Sequence, residues 1–221
     1  METSTEHARF NMIQQQIRPW GVLDDRVLDV MGELLREAFV PDAYRGLAYA
    51  DIEIPIGAES SMLAPKLVGR MLQALQVQPG DKALEIGTGT GYVAACLRNL
   101  GARVISVEID PALAAEATAR LTALKVKSVD VREADGLASA IPGGPYNVIA
   151  ITGSMPTDDD LPRFQEQLAV GGRLCCFLGT EPVMQCVLVT RESKDAFRRE
   201  ALLETSVPPL RNVVEPETFE L

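Results

Sequence analysis

The residues whose types and spacing could do chemistry are Glu85, Gly87, Gly89, Gly91 and, further on, Glu108. The run Ala83-Leu84-Glu85-Ile86-Gly87-Thr88-Gly89-Thr90-Gly91 is apolar at first, turns on alternating glycines, and leaves as the helical Tyr92-Val93-Ala94-Ala95-Cys96-Leu97. A strand that ends in glycines and opens a helix is a nucleotide-binding turn. Its glycines let the backbone come close to a ligand, and the free N–H groups of the helix face it. The dinucleotide fingerprint G-x-G-x-x-G is not met, because Tyr92 stands where the third glycine would pack helix on strand. A second run, Ala102-Arg103-Val104-Ile105-Ser106-Val107-Glu108, reads as a strand ending in an acid about 20 residues beyond Gly87, where a carboxylate can accept both ribose hydroxyls. A tight turn with a solvated glutamate would leave that spacing unexplained, so the pair points to a nucleoside ligand.

The composition narrows the chemistry. With 221 residues, 47% hydrophobic, the chain reads as one domain of ordinary size, long enough for a substantial core. The N-terminus is polar (Glu2, Thr3, Ser4, Thr5, Glu6) and no run approaches the roughly 18 apolar residues of a membrane span, which predicts a cytoplasmic protein with no membrane partner. Cys96, Cys175, Cys176 and Cys186 form no C-x-x-C pair, so they read as buried thiols rather than a zinc or redox motif. His7 is the only histidine and lies in the N-terminal tail. Its position removes Ser-His-Asp hydrolysis, a histidine general base and most metal sites, and no metal is expected. A net charge of −10 argues against nucleic-acid partners, which call for a basic surface.

Several elements must position these residues. Residues 8–22 read as a short helix stopped by Pro19 and Gly21. Asp24 is an N-cap for a helix whose apolar face is Val27, Leu28, Met31, Leu34, Leu35 and Ala38, ended by Phe39-Val40-Pro41. Tyr49 to Gly57 alternates as a short edge strand or extended loop, and Ala58 to Pro65 reads as a loop of small residues. A helix follows over Lys66–Leu75, then the turn Pro79-Gly80-Asp81. Beyond the glycine turn come a helix opened by Pro111, a third strand Val126–Arg132, the turn Ala134-Asp135-Gly136 and a near-continuous apolar strand Tyr146–Thr152. A helix Asp160–Leu168, a fifth strand Leu174–Leu178 and two strands, Val183–Thr190 and Phe197–Thr205, finish the chain as an antiparallel pair on a parallel sheet. The acidic triple Asp158-Asp159-Asp160 reads as a solvated loop and helix start. The expected division is an N-terminal helical and acceptor-loop extension, 1–78, and a cofactor-binding domain, 79–221, in one compact unit.

The motif Leu84 to Tyr92 resembles that of the class I methyltransferases, which bind S-adenosylmethionine. Further segments are similar to one branch of that class, the protein-L-isoaspartate O-methyltransferase family, which methylates isoaspartyl carboxylates in damaged proteins. They are Met12-Ile13-Gln14-Gln15-Gln16-Ile17, Val27-Leu28-Asp29-Val30-Met31, Phe39-Val40-Pro41, Ala48-Tyr49-Ala50-Asp51, Pro55-Ile56-Gly57, Ala134-Asp135-Gly136, and Gln167-Leu168 with Gly171-Gly172-Arg173-Leu174. The resemblance covers roughly residues 8–180. It implies an α/β fold, a doubly wound seven-stranded, mostly parallel, Rossmann-like sheet with helices on both faces and an antiparallel last strand, preceded by an N-terminal helical extension. It implies that Glu85, Gly87, Thr88, Gly89, Gly91, Tyr92, Glu108, Ile109, Asp135 and Gly136 bind S-adenosyl-L-methionine, leaving S-adenosyl-L-homocysteine as product. Glu85 would lie near the sulfonium, Glu108 would hold the ribose, and Asp135 with Gly136 would sit by the adenine. Asp135 read locally is also a turn residue before a glycine.

The acceptor loop departs from the family. Ile-Gly-x-Gly-Gln-Thr-Ile-Ser-x-Pro becomes Ile56-Gly57-Ala58-Glu59-Ser60-Ser61-Met62-Leu63-Ala64-Pro65, without a gap. The serine thought to contact the reacting carboxylate is Leu63, the glutamine is Ser60, and Ser61 alone keeps a hydroxyl, at the threonine position. Glu59 replaces a glycine and would bring negative charge beside a carboxylate site. Asn147 stands for a usual Asp and Ala134 for a Gly. The altered catalytic-loop residues Ser60, Ser61 and Leu63 therefore open three readings: an isoaspartyl methyltransferase acting on peptides and proteins, a methyltransferase of the same fold with a small-molecule or less charged acceptor, or a non-catalytic cofactor-binding protein. The intact cofactor residues weigh against the last, and Tyr92 and Glu85 against an NAD dehydrogenase. The oligomeric state and the role of 208–221 have no readable signature.

Overall fold

The computed structural model describes residues 4–57 and 59–214. Glu2 and Thr3, Ala58 of the acceptor loop and the end of the 208–221 segment lie outside them. Residues 4–20 form helix α1 (Ser4–Asn11), a π-helical turn Met12–Ile17 and a 3-10 turn Arg18–Trp20 closed by Gly21 at φ 77°. His7 sits in α1 rather than in an irregular tail. Asp24 caps α2 (Asp25–Glu33) as expected, its side chain accepting from the Arg26 N–H at 2.9 Å. Asp24→Ala should lower stability by about 1 kcal/mol, or about 2–4 °C in the thermal midpoint, read by melting both proteins together.

Helix α2 stops earlier than its periodicity implies. Leu34 and Leu35 are extended (ψ 112° and 95°), Leu35 is 45% exposed, and Arg36–Ala38 is a separate 3-10 turn. The break turns Arg36 inward, where its Nε and Nη2 donate to the Ala48 and Leu63 carbonyl oxygens, each at 2.9 Å.

The acceptor segment is a hairpin rather than a loop. β1 (Ile54–Gly57) pairs antiparallel with β2 (Ser60–Met62), Ile54 opposite Met62 and Gly57 opposite Ser60. Its corner uses positive φ at Gly57 (93°) and at Glu59 (61°). Helix α3 (Pro65–Leu75) follows, with Pro65 in the first turn and Leu67, Val68, Met71, Leu72 and Leu75 buried.

The main sheet contains β3 (Lys82–Ile86), β4 (Arg103–Glu108), β5 (Val129–Glu133), β6 (Tyr146–Met155), β7 (Leu168–Thr180), β8 (Val183–Arg191) and β9 (Phe197–Thr205). Its seven strands run in the order β5-β4-β3-β6-β7-β8-β9. All neighbours up to β7 are parallel, and β7–β8 and β8–β9 are antiparallel. The strand that opposes the rest is therefore β8, the penultimate one, and β9 at the edge again runs with β7. A tight connection forces β8 to reverse, and a second reversal restores the direction, which corrects the expectation of an antiparallel last strand. β5 begins at Val129, because Lys125 (φ 57°) and Ser128 (φ 62°) turn the preceding residues. β7 begins six residues before Leu174, with an irregular register across Gly171-Gly172.

Helices α4 (Tyr92–Asn99) and α5 (Pro111–Ala123) connect β3 to β4 and β4 to β5, and α6 (Leu161–Glu166) connects β6 to β7. One core cluster joins Met12, Ile17, Met31, Phe39 and Met71 to Ala94, Leu97 and Val148, so the N-terminal elements and one face of the sheet share a buried interior. A second, around Leu84, Ile149, Phe164 and Leu174, fills the opposite face. All four cysteines are buried free thiols. Among the described residues no helix is long and apolar enough to cross a membrane.

Candidate active site

Because β3, β4, β5 and β6 are parallel, their carboxyl ends lie on one edge, where a doubly wound sheet binds ligands. A cleft opens there, lined by Gly87 and Gly89 of the turn, Glu108 and Ile109 after β4, Ala134-Asp135-Gly136 after β5, Thr152-Gly153 of β6, Ser60 and Ser61 of the hairpin, and Val207 to Arg211. A smaller inner chamber adjoins it, sharing Ile56, Ser61, Gly87, Gly89 and Thr152. It is lined in addition by Arg36, Leu63, Glu85, Thr88 and Tyr92.

The glycines of the turn divide their work. A Cβ on Gly87 (φ 90°) would meet Thr152 Oγ1 at 2.4 Å, and one on Gly89 (φ 52°) would meet Ile56 Cδ1 at 3.1 Å. Gly91 (φ 85°) faces away from the cleft, towards Leu121 and Ala117 of α5, and serves helix packing. Gly136 is held against Ile86, 2.6 Å from a built Cβ.

The carboxylates differ in environment. Glu108 is 6% exposed, and it accepts from the Gly89 N–H at 2.7 Å and the Asp110 N–H at 3.1 Å. A carboxylate has about four acceptor positions, so it can still receive hydroxyls from the cleft. Asp135 accepts from Leu137 N at 2.8 Å through one oxygen and from Asn212 Nδ2 at 2.9 Å through the other, making it both a turn residue and part of the cleft wall. Glu85 is 1% exposed beneath the turn and accepts from Ser106 Oγ, which in turn lies 2.6 Å from Thr88 Oγ1. Burial pushes the Glu85 carboxyl up from an ordinary 4.5 to about 8, opposed by the Ser106 hydrogen bond and reinforced by the charge on Glu108.

The acceptor hairpin brings its residues to different places. Ser60 lines the cleft, and Ser61 borders both spaces and donates to Glu53 Oε2 at 2.9 Å. Burial, with the nearby Glu181 charge, raises the Glu53 pKa against that hydrogen bond. Leu63 is 5% exposed, packs in the core and faces the inner chamber. Tyr92 lies there too, under Arg36 and edge-on to Phe39 with ring centroids 5.3 Å apart, and not in the main cleft. Glu59 is exposed at the hairpin tip and lines neither space. Asn147 Oδ1 accepts from Lys82 N at 2.9 Å, a contact an Asp would also make.

Sequence reasoning missed the C-terminal strap. Ser154 N donates to Pro208 O, Leu210 N donates to Ser154 O, and Ser154 Oγ donates to Val207 O, at 2.9, 2.9 and 2.8 Å. Beyond it Arg211 pairs with Asp110 at 3.1 Å, so the segment forms one wall of the cleft. It also missed Thr152 and Arg36, which carry no motif.

A parallel sheet with a glycine turn at its carboxyl edge, an acid closing the next strand and a reversed penultimate strand define a class I methyltransferase fold. Two solved structures share that fold. One, a protein-L-isoaspartate O-methyltransferase, superposes with a TM-score of 0.78 at 24% identity, covering 93% of this chain and 65% of that one. The other, a Plasmodium falciparum chain described as a beta-aspartate methyltransferase (PCMT) in complex with S-adenosyl-L-homocysteine, gives 0.76 at 17% identity, covering 95% and 99%. By sequence, Protein-L-isoaspartate O-methyltransferase 1 of Rhodopseudomonas palustris is 40% identical over 94% of this chain and 84% of its own length, and the Methylorubrum populi protein-L-isoaspartate O-methyltransferase 37% over 95% and 98%. The family described as Protein-L-isoaspartate(D-aspartate) O-methyltransferase (PCMT) matches residues 7–212, and the chain belongs to it.

Proposed function

We propose that the protein transfers the methyl group of S-adenosylmethionine to the free α-carboxylate of isoaspartyl residues in peptides and proteins. The observation that carries this reading is the adjacency of the acceptor hairpin and the glycine turn around one chamber. The residues present suit a cationic nucleoside. Glu108 and Asp135 face the cleft, Glu85 lies beneath it, and Ile86, Val107, Leu137 and Leu210 supply apolar walls for a base.

When bound, S-adenosylmethionine supplies a methyl group on a cationic sulfur leaving group. The new C–O bond forms as the C–S bond breaks, and the sulfur keeps the electron pair. A carboxylate acceptor is already ionised near pH 7, with a reference pKa of about 4, so no general base is required and a lining without histidine is no obstacle. The chain's contribution is placement in a water-poor site. Glu108 and the turn backbone fix the nucleoside, and the Ser60–Leu63 strand fixes the acceptor.

Leu63 in place of the family's serine removes one positioning hydroxyl, and a lost oriented donor typically costs about 10²–10³-fold in turnover. Calorimetric titration should give micromolar binding of S-adenosylmethionine and S-adenosylhomocysteine. Leu63→Ser should raise kcat/KM for an isoaspartyl peptide by at least about tenfold over wild type, the ordinary aspartyl isomer serving as blank. A Leu63→Ser variant that folds and binds cofactor but gains nothing would count against the isoaspartyl acceptor and favour a less charged one.

A further inference from the structure

Arg36 is the largest of the fully buried side chains, and its guanidinium is only partly used. Nε and Nη2 are satisfied by the Ala48 and Leu63 carbonyls, and the guanidinium carbon stacks 4.8 Å above the Tyr92 ring. Nη1 and the Tyr92 hydroxyl are both buried and make no hydrogen bond of normal length and angle among the described residues, although the two groups interact electrostatically with each other and the hydroxyl with Cys96. Both residues line the same inner chamber, between the acceptor hairpin and the glycine turn. Burial lowers the Arg36 pKa from its ordinary value, yet a guanidinium keeps its proton throughout the working range.

An orphaned cationic donor is costly, and native interiors pair such groups with a residue, water or ligand. The other ionisable side chains around the two spaces are mostly acidic: Glu108 and Asp135, with Glu85 held protonated by burial and Arg211 committed to Asp110. Arg36 is thus the cation of the inner chamber. We infer that Arg36 Nη1, assisted by the Tyr92 hydroxyl, is a carboxylate-recognition site that orients an amino-acid carboxylate beside the reacting centre. That carboxylate belongs either to the amino-acid end of the cofactor or to the acceptor. The inference rests on the proposed methyl transfer for the identity of the ligands, whereas the donor geometry is independent of it.

The test compares wild type, Arg36→Met and Tyr92→Phe. Binding of S-adenosylhomocysteine and of 5′-methylthioadenosine, which lacks the carboxylate, is measured by calorimetry, and KM and kcat are measured with an isoaspartyl peptide. If the cofactor supplies the group, Arg36→Met should weaken S-adenosylhomocysteine on the order of 10²-fold and leave methylthioadenosine unchanged. If the acceptor supplies it, S-adenosylhomocysteine should be unaffected and the peptide KM should rise by a similar factor with little change in kcat. Should Arg36→Met not fold, Tyr92→Phe decides, because it removes the hydroxyl and leaves the ring beneath Arg36 in place. It should show the same selectivity at roughly fivefold. Equal losses for both nucleosides, or none for any ligand, would overturn the inference and leave Arg36 as a bolt between loops. Failure of wild type to turn over the peptide, with the nucleoside selectivity intact, would instead remove only the isoaspartyl acceptor.

Discussion

In Gly87→Ala, S-adenosylmethionine binding should fall at least about 10²-fold, with a loss of several degrees in thermal midpoint. Gly87 has φ 90°, a conformation that costs a side-chain-bearing residue about 1–3 kcal/mol. The added methyl would also lie 2.4 Å from Thr152 Oγ1. That hydroxyl is not free to swing away, because it donates to the Ile86 and Gly87 carbonyl oxygens at 3.0 and 2.7 Å and so ties β6 to the end of β3. Either the threonine gives up both acceptors or the turn moves into the cleft. Two controls separate these causes. Gly80→Ala has the same φ problem (91°) with nothing within 4 Å, so it should lose stability and keep binding. Gly87→Ala with Thr152→Ala relieves the contact but not the φ strain, so it should recover part of the binding. Binding by Gly87→Ala within threefold of wild type, measured by calorimetric titration, would show that the turn does not approach the ligand.

That contrast among glycines marks how far the sequence could be read. The strand–turn–helix from Lys82 to Asn99, the acid at Glu108, the proline-initiated α5 and the capped α2 were all legible. Each depends on interactions within a few residues, such as a cap, a φ > 0 requirement or a face of period 3.6 or 2. What remained hidden depends on partners far along the chain. The spacing Gly87, Gly89, Gly91 is uniform, yet only contact with α5 distinguishes Gly91 as a packing glycine. Leu34 and Leu35 continue a helical period by coincidence, and the chain breaks there because carbonyls at Ala48 and Leu63 hold Arg36 inward. An arginine within an apolar stripe would ordinarily be assigned to the solvent face. The strap from Val207 to Asn212 has short-range polarity typical of a loop, and its place follows from Ser154, 53 residues upstream. The orientation of β8 likewise became definite only through pairing with β7 and β9.

Glu85→Gln should make the protein more stable at neutral pH, although it alters a buried residue of the cofactor motif. The Glu85 carboxyl titrates near 4.5 when the chain is unfolded and near 8 when folded, because burial disfavours its charged form. Below 4.5 both states hold the proton and the group has no effect. Between 4.5 and 8 the folded state binds a proton that the unfolded state has lost, so this group makes stability fall as pH rises, by up to about 5 kcal/mol in all. Above 8 both states are ionised and the penalty is constant. Glutamine cannot ionise and keeps the acceptor for Ser106, so the variant should gain about 3 kcal/mol at pH 7, visible as a midpoint about 6–12 °C higher. The difference between wild-type and variant midpoints should close as the pH falls to 4.5. A constant difference across that range would mean that Glu85 is ionised in the folded protein. The same carboxyl makes a binding prediction. If the cofactor's cationic sulfonium binds above it, as proposed, the ionised form is favoured, and S-adenosylmethionine binding at pH 7 should release up to about one proton. Titrations in two buffers of different ionisation enthalpy measure that release, and Glu85→Gln should abolish it. Position 85 would then hold a side chain that weakens the fold by itself and is compensated when the cationic cofactor binds.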